Sequence, residues 1–370
     1  MNIKKLGIIM KILVNTPAVN LIGGVAQIYK VLKLNKYDNI DYFEIITKNS
    51  ESKISKLFRI FFKYIKFIFK IKDYDIIHLN PSFLKNSFYR DAIYSFIAQL
   101  SNNKVIVFWH GWDDDFEEEV KKSKFKQWIL LNSFGKANTT LILGKIFQDK
   151  LVNLGVKSTK YELITSIADD TELEKFDIDS KFKKLKTKNH IDFLFLSRII
   201  KEKGVYIAID AINKINKDYN SKCILHIAGT GKELDNTKNY VEANKIKNII
   251  FHGFVRGESK YKLLTETDIC FFPTYYGEGL PNSILESMLY AQPVISRINA
   301  GITDHIINKK NGFITDSINS NDFLSFIEYF INDKDAIIKI GTENHKKAKK
   351  DYTAKQVEKK LLSFYSELNN

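Results

Sequence analysis

At 370 residues the chain is too long for one ordinary core, and 44% hydrophobic with 27% charged residues describes a globular protein, not a disordered or fibrous one. No uninterrupted apolar run approaches the about 20 residues that a membrane-spanning helix needs. The formal net charge of +14 is uneven: residues 1–160 hold 26 Lys and Arg against 14 Asp and Glu, and the remainder 31 against 29. An anionic partner is therefore expected on the N-terminal half.

The opening run 1–10 resembles a signal peptide only briefly, because Lys11 breaks it and no small-residue cleavage site follows. Short apolar runs then predict strands at 11–15, 42–47, 76–79, 105–109, 140–143, 193–197, 224–228, 249–251, 269–272 and 294–296. Stretches with helical periodicity lie between them, for example 204–215 and 282–290, and 321–370 is helical throughout. That alternation predicts an α/β protein of parallel sheets with helices on both faces. The expected domains are an N-terminal Rossmann-like one over 1–168, a Lys-rich linker over 169–190, and a second over 191–345. A terminal helix over 346–370 can cross back to the first domain. Cys223 and Cys270 sit in apolar runs and suggest no disulfide framework, so the cytoplasm is the expected compartment.

The chemistry-bearing segments also follow the chain. Gly23 and Gly24 follow the first strand and can bring backbone amides against a phosphate. In 53–72, Lys53, Lys56, Arg59, Lys63, Lys66 and Lys70 recur every three or four residues, with no acid and with Phe and Ile between them. Such a helix either packs on a sheet with its lysines in water or lies at an anionic bilayer. His110 ends a strand, where open α/β sheets hold their ligands. Asp113–Asp115 looks like a metal motif, but it leads into Glu117–Glu119, and an acidic helix start is the simpler account. The histidines show no metal-ligand spacing, so no metal is expected. Ser197, Arg198 and Lys203 occupy a strand-to-helix turn ending at Gly204, where free amides and two cations suit a diphosphate. Gly229 and Gly231 make a second such turn, for which, taken alone, a simple tight bend is the better explanation.

The most informative run is 273–286, a strand exit, a glycine loop and a helix that Pro281 can start. Glu278 lies in the loop beside Gly279 and Leu280, and Glu286 one turn into the helix. Each carboxylate can accept two hydrogen bonds from a vicinal diol, as a sugar or ribose presents.

The ordered series Ser197-Arg198…Lys203-Gly204, Ala228-Gly229-x-Gly231, His252-Gly253-Phe254, Glu278-Gly-Leu-Pro…Glu286 and Gln292-Pro293-Val294…Ala300-Gly301 resembles the retaining glycosyltransferases of family 4. This is the large group 1 family with the GT-B fold, two Rossmann-like domains facing across a cleft. The likeness is strongest over 190–315. It implies that Arg198 and Lys203 bind the donor diphosphate, Glu278 the donor sugar and Glu286 the ribose. It also implies that Gly23, Gly24 and His110 border the reaction centre. The partners so implied are a nucleotide-sugar donor, UDP favoured over GDP, and a glycan or lipid-linked acceptor at the inner membrane face. No further cofactor and no nucleic acid are expected. The pattern departs from the family at Ile164–Asp169 and in the Gly-Trp after His110. A non-catalytic partner subunit and an epimerase of the same fold are the rival readings.

Overall fold

The computed structural model describes residues 10–21, 23–46, 53–157, 159–219, 222–277, 279–299 and 301–368. They divide into two compact units. The first takes the described residues up to Ser166, with 277, 279, 280 and those from 354 onward; the second takes the others.

The first unit is built on a parallel sheet ordered β2-β1-β3-β4-β5-β6. The strands are β1 (Ile12–Pro17), β2 (Ile40–Ile46), β3 (Ile76–Leu79), β4 (Lys104–Phe108), β5 (Thr139–Ile142) and β6 (Lys160–Leu163). β3 and β5 are buried at every residue, as strands covered on both faces must be. The helices between them are α1 (Gly24–Leu32), α2 (Lys53–Lys70), α3 (Lys85–Leu100), α4 (Asp114–Lys122), α5 (Lys124–Asn132) and α6 (Lys145–Asn153). Steps from β2 through β3 and β4 to β5 all run one way across the sheet. Right-handed crossovers therefore set α2, α3, α4 and α5 on one face and α1 on the other. β3 pairs with β4 so that Leu79 faces Val107, and the turns carrying Asn80 and His110 leave the sheet as neighbours.

The second unit has the order β12-β11-β10-β7-β8-β9. Its strands are β7 (Ile191–Leu196), β8 (Cys223–Ala228), β9 (Ile249–Gly253), β10 (Ile269–Phe272), β11 (Val294–Arg297) and β12 (Gly312–Thr315). Its helices are α7 (Ile178–Thr187), α8 (Val205–Asp218), α9 (Leu234–Ala243), α10 (Glu258–Glu266), α11 (Asn282–Leu289), α12 (Ile302–His305), α13 (Leu324–Asn332) and α14 (Lys334–Asp351). A final helix, α15 (Ala354–Glu367), packs in the first unit. The direction of strand addition reverses between β7 and β10, and that switch point is where an open α/β sheet leaves a ligand crevice.

All ten predicted segments form strands. Two strands were not predicted, β6 and β12, and both are sheet edges. The edges β2 and β9 were predicted, but these two lack a continuous apolar run: β6 reads Lys-Tyr-Glu-Leu, and β12 opens on Gly312. Within 169–190, residues 178–187 form α7. Phe182 and Leu185 bury one side of it, and the buried Lys181 ammonium donates to the Leu264 and Tyr290 carbonyls at 3.0 and 2.6 Å.

Candidate functional site

In the second unit the crevice at the switch point is cationic. β7 delivers Ser197 and Arg198, and one helical turn later Lys203 precedes Gly204. A side chain at Gly204, whose φ is 84°, would meet the Pro273 carbonyl at 2.2 Å. Glycine alone therefore lets this turn press on the exit of β10. The Lys203 ammonium lies 4.5 Å from the centre of the Tyr276 ring, and the Arg198 guanidinium 5.3 Å from the same ring. An aromatic face at such distances attracts a cation and holds the two side chains together. Lys203 is almost wholly buried, and burial, then the Arg198 charge, pulls its ammonium down to about 7. Asn299 fixes the loop from behind, donating to the Tyr276 carbonyl at 2.6 Å.

Gly229 and Gly231 have a packing role. Side chains there would meet the carbonyls of Ser197 and Ile199 at 1.8 and 2.3 Å. These glycines let the turn after β8 lie against the Ser197–Ile199 backbone and so shape the crevice wall.

Glu286 is buried on α11, one turn after Pro281. Its Oε1 is 3.0 Å from Lys260 Nζ, and Lys260 is 2.9 Å from Asp169 Oδ2. One cation is thus shared by two carboxylates. Burial pushes the Glu286 carboxyl above its ordinary range, against the pull of Lys260. For Asp169 burial acts the same way, but Lys260 and Thr171 outweigh it and hold the carboxyl low. Asp169 appeared in the sequence only as a departure from a family pattern, and nothing in the sequence pointed to Lys260. Glu278 lies outside the described residues.

In the first unit the corresponding crevice is neutral. Asn80 Nδ2 donates to the Asn15 carbonyl at 2.8 Å, which turns Asn80 Oδ1 toward two donors. Tyr29 donates to that oxygen at 2.6 Å and His110 Nε2 lies 2.7 Å from it. With Oδ1 an acceptor only, the His110 proton sits on Nε2, leaving Nδ1 as an acceptor. Behind Tyr29, His78 Nε2 is 3.3 Å from the Tyr29 oxygen, and His78 Nδ1 is 2.6 Å from the Tyr365 hydroxyl of α15. Burial pulls both histidines down to about 3, with His78 adding to the effect at His110. Asn80, Tyr29, His78 and Tyr365 were not anticipated; their link to His110 arises from sheet register and a distant helix.

Gly23 and Gly24 open α1 and are exposed, and among the described residues a side chain at either would meet no non-neighbouring atom within 4 Å. Internal packing does not require these two glycines. Gly279 differs: a side chain there would strike the His110 carbonyl at 2.2 Å, within the same unit. Leu280 is buried.

Asp113–Asp115 starts α4, as expected. Asp113 caps the helix by accepting from the Phe116 amide at 3.1 Å, and Asp114 pairs with Lys150. Among the described residues no group of three or more His, Cys, Asp or Glu is arranged to hold a metal ion. Of the basic stripe on α2, Arg59 is half-buried and Lys66 exposed, whereas Lys63 donates to the Glu44 carbonyl at the end of β2. Lys70 lies 5.7 Å from the Tyr74 ring; the side chains of Lys53 and Lys56 are not among those described. No described helix is long and apolar enough to cross a membrane.

Two parallel α/β units, one with a cationic crevice at its switch point, place this chain among proteins of the GT-B fold. Solved structures agree. Anabaena HepE in complex with UDP-glucose superposes with a TM-score of 0.73 at 17% identity, covering 97% of this chain and 100% of that one. Sucrose-phosphate synthase from Thermosynechococcus elongatus gives 0.73 at 15%, covering 97% and 99%. Residues 177–351 match the family Glycosyl transferases group 1. Among curated relatives, an uncharacterized glycosyltransferase of Methanocaldococcus jannaschii is 28% identical over 200 residues, 54% of this chain and 48% of its own length. The poly(ribitol-phosphate) alpha-N-acetylglucosaminyltransferase of Staphylococcus aureus is 24% identical over 177 residues, 46% of this chain and 34% of its own. The match to the first of these relatives spans about half of its length.

Proposed function

We propose that the protein transfers a sugar, with retention of configuration, from a nucleotide-diphosphate sugar to a glycan or lipid-linked acceptor in cell-surface polysaccharide synthesis. UDP is favoured over GDP as the carrier, and the enzyme works in the cytoplasm, peripherally at the inner membrane face through α2. The observation that carries this reading is the convergence of Arg198 and Lys203 on Tyr276 at the switch point of the second sheet. Cations fixed there stabilise charge on the departing diphosphate, usually the largest electrostatic contribution to such a reaction. Glu286 receives the ribose hydroxyls, with Lys260 holding its carboxylate in place, and Glu278 contacts the donor sugar. Gly23 and Gly24 leave room for a ligand to approach the α1 amides. His110, held neutral with Nδ1 free of its proton, accepts a hydrogen bond from a sugar hydroxyl.

Two basic side chains carry the charge a cation would otherwise neutralise, so transfer is expected to survive chelation. The test is release of UDP from UDP-sugars with and without candidate acceptors, in buffer containing EDTA. Acceptor-dependent release that Arg198→Ala abolishes supports the proposal. Tight donor binding without release would make the protein a non-catalytic partner subunit, and conversion of the donor to its epimer would make it an epimerase. Activity lost to EDTA and restored by magnesium would return Asp113–Asp115 to consideration as ligands.

A further inference from the structure

The helices on one face of the first sheet leave an apolar surface wider than α2. On α2, Tyr64 and Phe67 turn inward onto Tyr94 of α3, with ring centres 4.8 and 4.7 Å apart. The opposite side exposes Phe58, Phe61, Phe62, Ile68 and Phe69, and the basic stripe runs beside them. On α3, Ile93, Phe96, Ile97 and Leu100 fall at helical spacing, and Leu100 is 84% exposed. Phe96 stacks at 5.8 Å on Trp128 of α5, which stacks in turn at 6.4 Å on Phe125; both α5 rings are exposed. Contacts therefore run from α2 through α3 to α5, and exposed large apolar side chains accompany them throughout. Isolated exposed apolar residues need no explanation, but a contiguous patch marks an interaction surface.

The charge on these helices selects the occupant. Together α2, α3 and α5 carry ten Lys and Arg and a single acid, Asp91, which is buried against Arg90 at 2.6 Å. Of these cations, Lys126 and Lys85 pair with Glu119 of α4, and Arg90 with Asp91; the remaining basic residues beside the aromatic rings match an anionic bilayer surface, where Trp and Phe sit at headgroup depth and each basic residue adds attraction.

We propose that α2, α3 and α5 form one docking face for an anionic bilayer, in which Leu100, Phe125 and Trp128 enter the interface alongside the phenylalanines of α2. This rests on the reading of a membrane-associated transferase and extends it to two helices that carry no basic stripe of their own.

The chain has three tryptophans; Trp109 and Trp112 are buried and Trp128 is 54% exposed. A quencher carried on lipid acyl chains therefore reads Trp128. Full-length protein is mixed with vesicles of phosphatidylglycerol and brominated phosphatidylcholine, and binding is followed separately by sedimentation. The expected result is a blue shift and quenching on anionic vesicles only, absent in Trp128→Phe although that variant still sediments. Leu100→Ser with Phe125→Ser should weaken vesicle binding by roughly tenfold or more, as loss of large apolar burial predicts. Vesicle binding with Trp128 unquenched, and with the double variant equal to wild type, would overturn the three-helix face while leaving α2 as an anchor. No sedimentation of wild type would overturn both readings. Lipid-free dimerisation abolished by the double variant would make the face a contact between copies and overturn the proposal.

Discussion

The crevices at the strand ends of the two sheets are built from opposite materials. In the second unit the site is built from ionisable side chains: Arg198 and Lys203 meet on one ring, and Lys260 bridges Glu286 and Asp169. In the first unit the chain Tyr365, His78, Tyr29, Asn80 and His110 is buried or half-buried, hydrogen-bonded and, with both histidines near 3, uncharged at neutral pH. The difference matches the two halves of the proposed reaction. A nucleotide diphosphate needs fixed positive charge, whereas an incoming hydroxyl needs an oriented acceptor whose protonation state does not drift.

The comparison breaks most visibly at Lys260. Replacing it with Met leaves the buried Glu286 and half-buried Asp169 carboxylates without their shared cation, and the expected loss is about 3 kcal/mol in stability of the second unit, read by urea unfolding. A loss under about 1 kcal/mol would mean that the carboxylates are effectively solvated.

Acid should act on the first unit instead. His78 and His110 stay neutral in the fold down to about pH 3, but in the unfolded chain each takes up a proton below about pH 6.5. Above that pH they make no difference; as pH falls toward 3 the unfolded state gains protons that the fold refuses. Each histidine then costs up to about 1.4 kcal/mol per pH unit. Thermal midpoints between pH 7 and 4 test this, and His78→Phe should flatten the slope. An unchanged slope in that variant would place the acid sensitivity elsewhere.

A smaller effect sharpens the donor side. Because burial and the Arg198 charge pull the Lys203 ammonium down to about 7 before donor binds, donor affinity should fall as pH rises through that value, by at most about tenfold per pH unit. Lys203→Arg keeps the charge and should remove the dependence. A flat profile in wild type would mean that Lys203 does not meet the phosphates.

Much of the fold was legible because each buried strand announces itself as a short apolar run between helical patterns, as 76–79 and 269–272 do without adjustment. The edges β6 and β12 were not legible, since Lys160 and Glu162 interrupt the first and Gly312 opens the second, leaving neither an apolar run of strand length. At the candidate site, residues tied to local punctuation were legible: Glu286 after Pro281, Lys203 before Gly204, and the acidic start of α4. Their partners were not. Lys260 lies 26 residues from Glu286, and Asn80 lies 30 from His110. Only packing and sheet register bring them together, and neither is written in a single chain segment.

The division of labour between the crevices is tested most directly by titrating a UDP-sugar calorimetrically into Lys203→Ala and His110→Ala and measuring transfer by the same two variants. The account predicts that Lys203→Ala weakens donor binding by about tenfold or more, as loss of a charge-assisted contact implies. His110→Ala should bind donor within about twofold of wild type yet lose about tenfold in transfer, the scale of one lost hydrogen bond. Wild-type donor affinity in Lys203→Ala, or a donor-binding defect confined to His110→Ala, would contradict it.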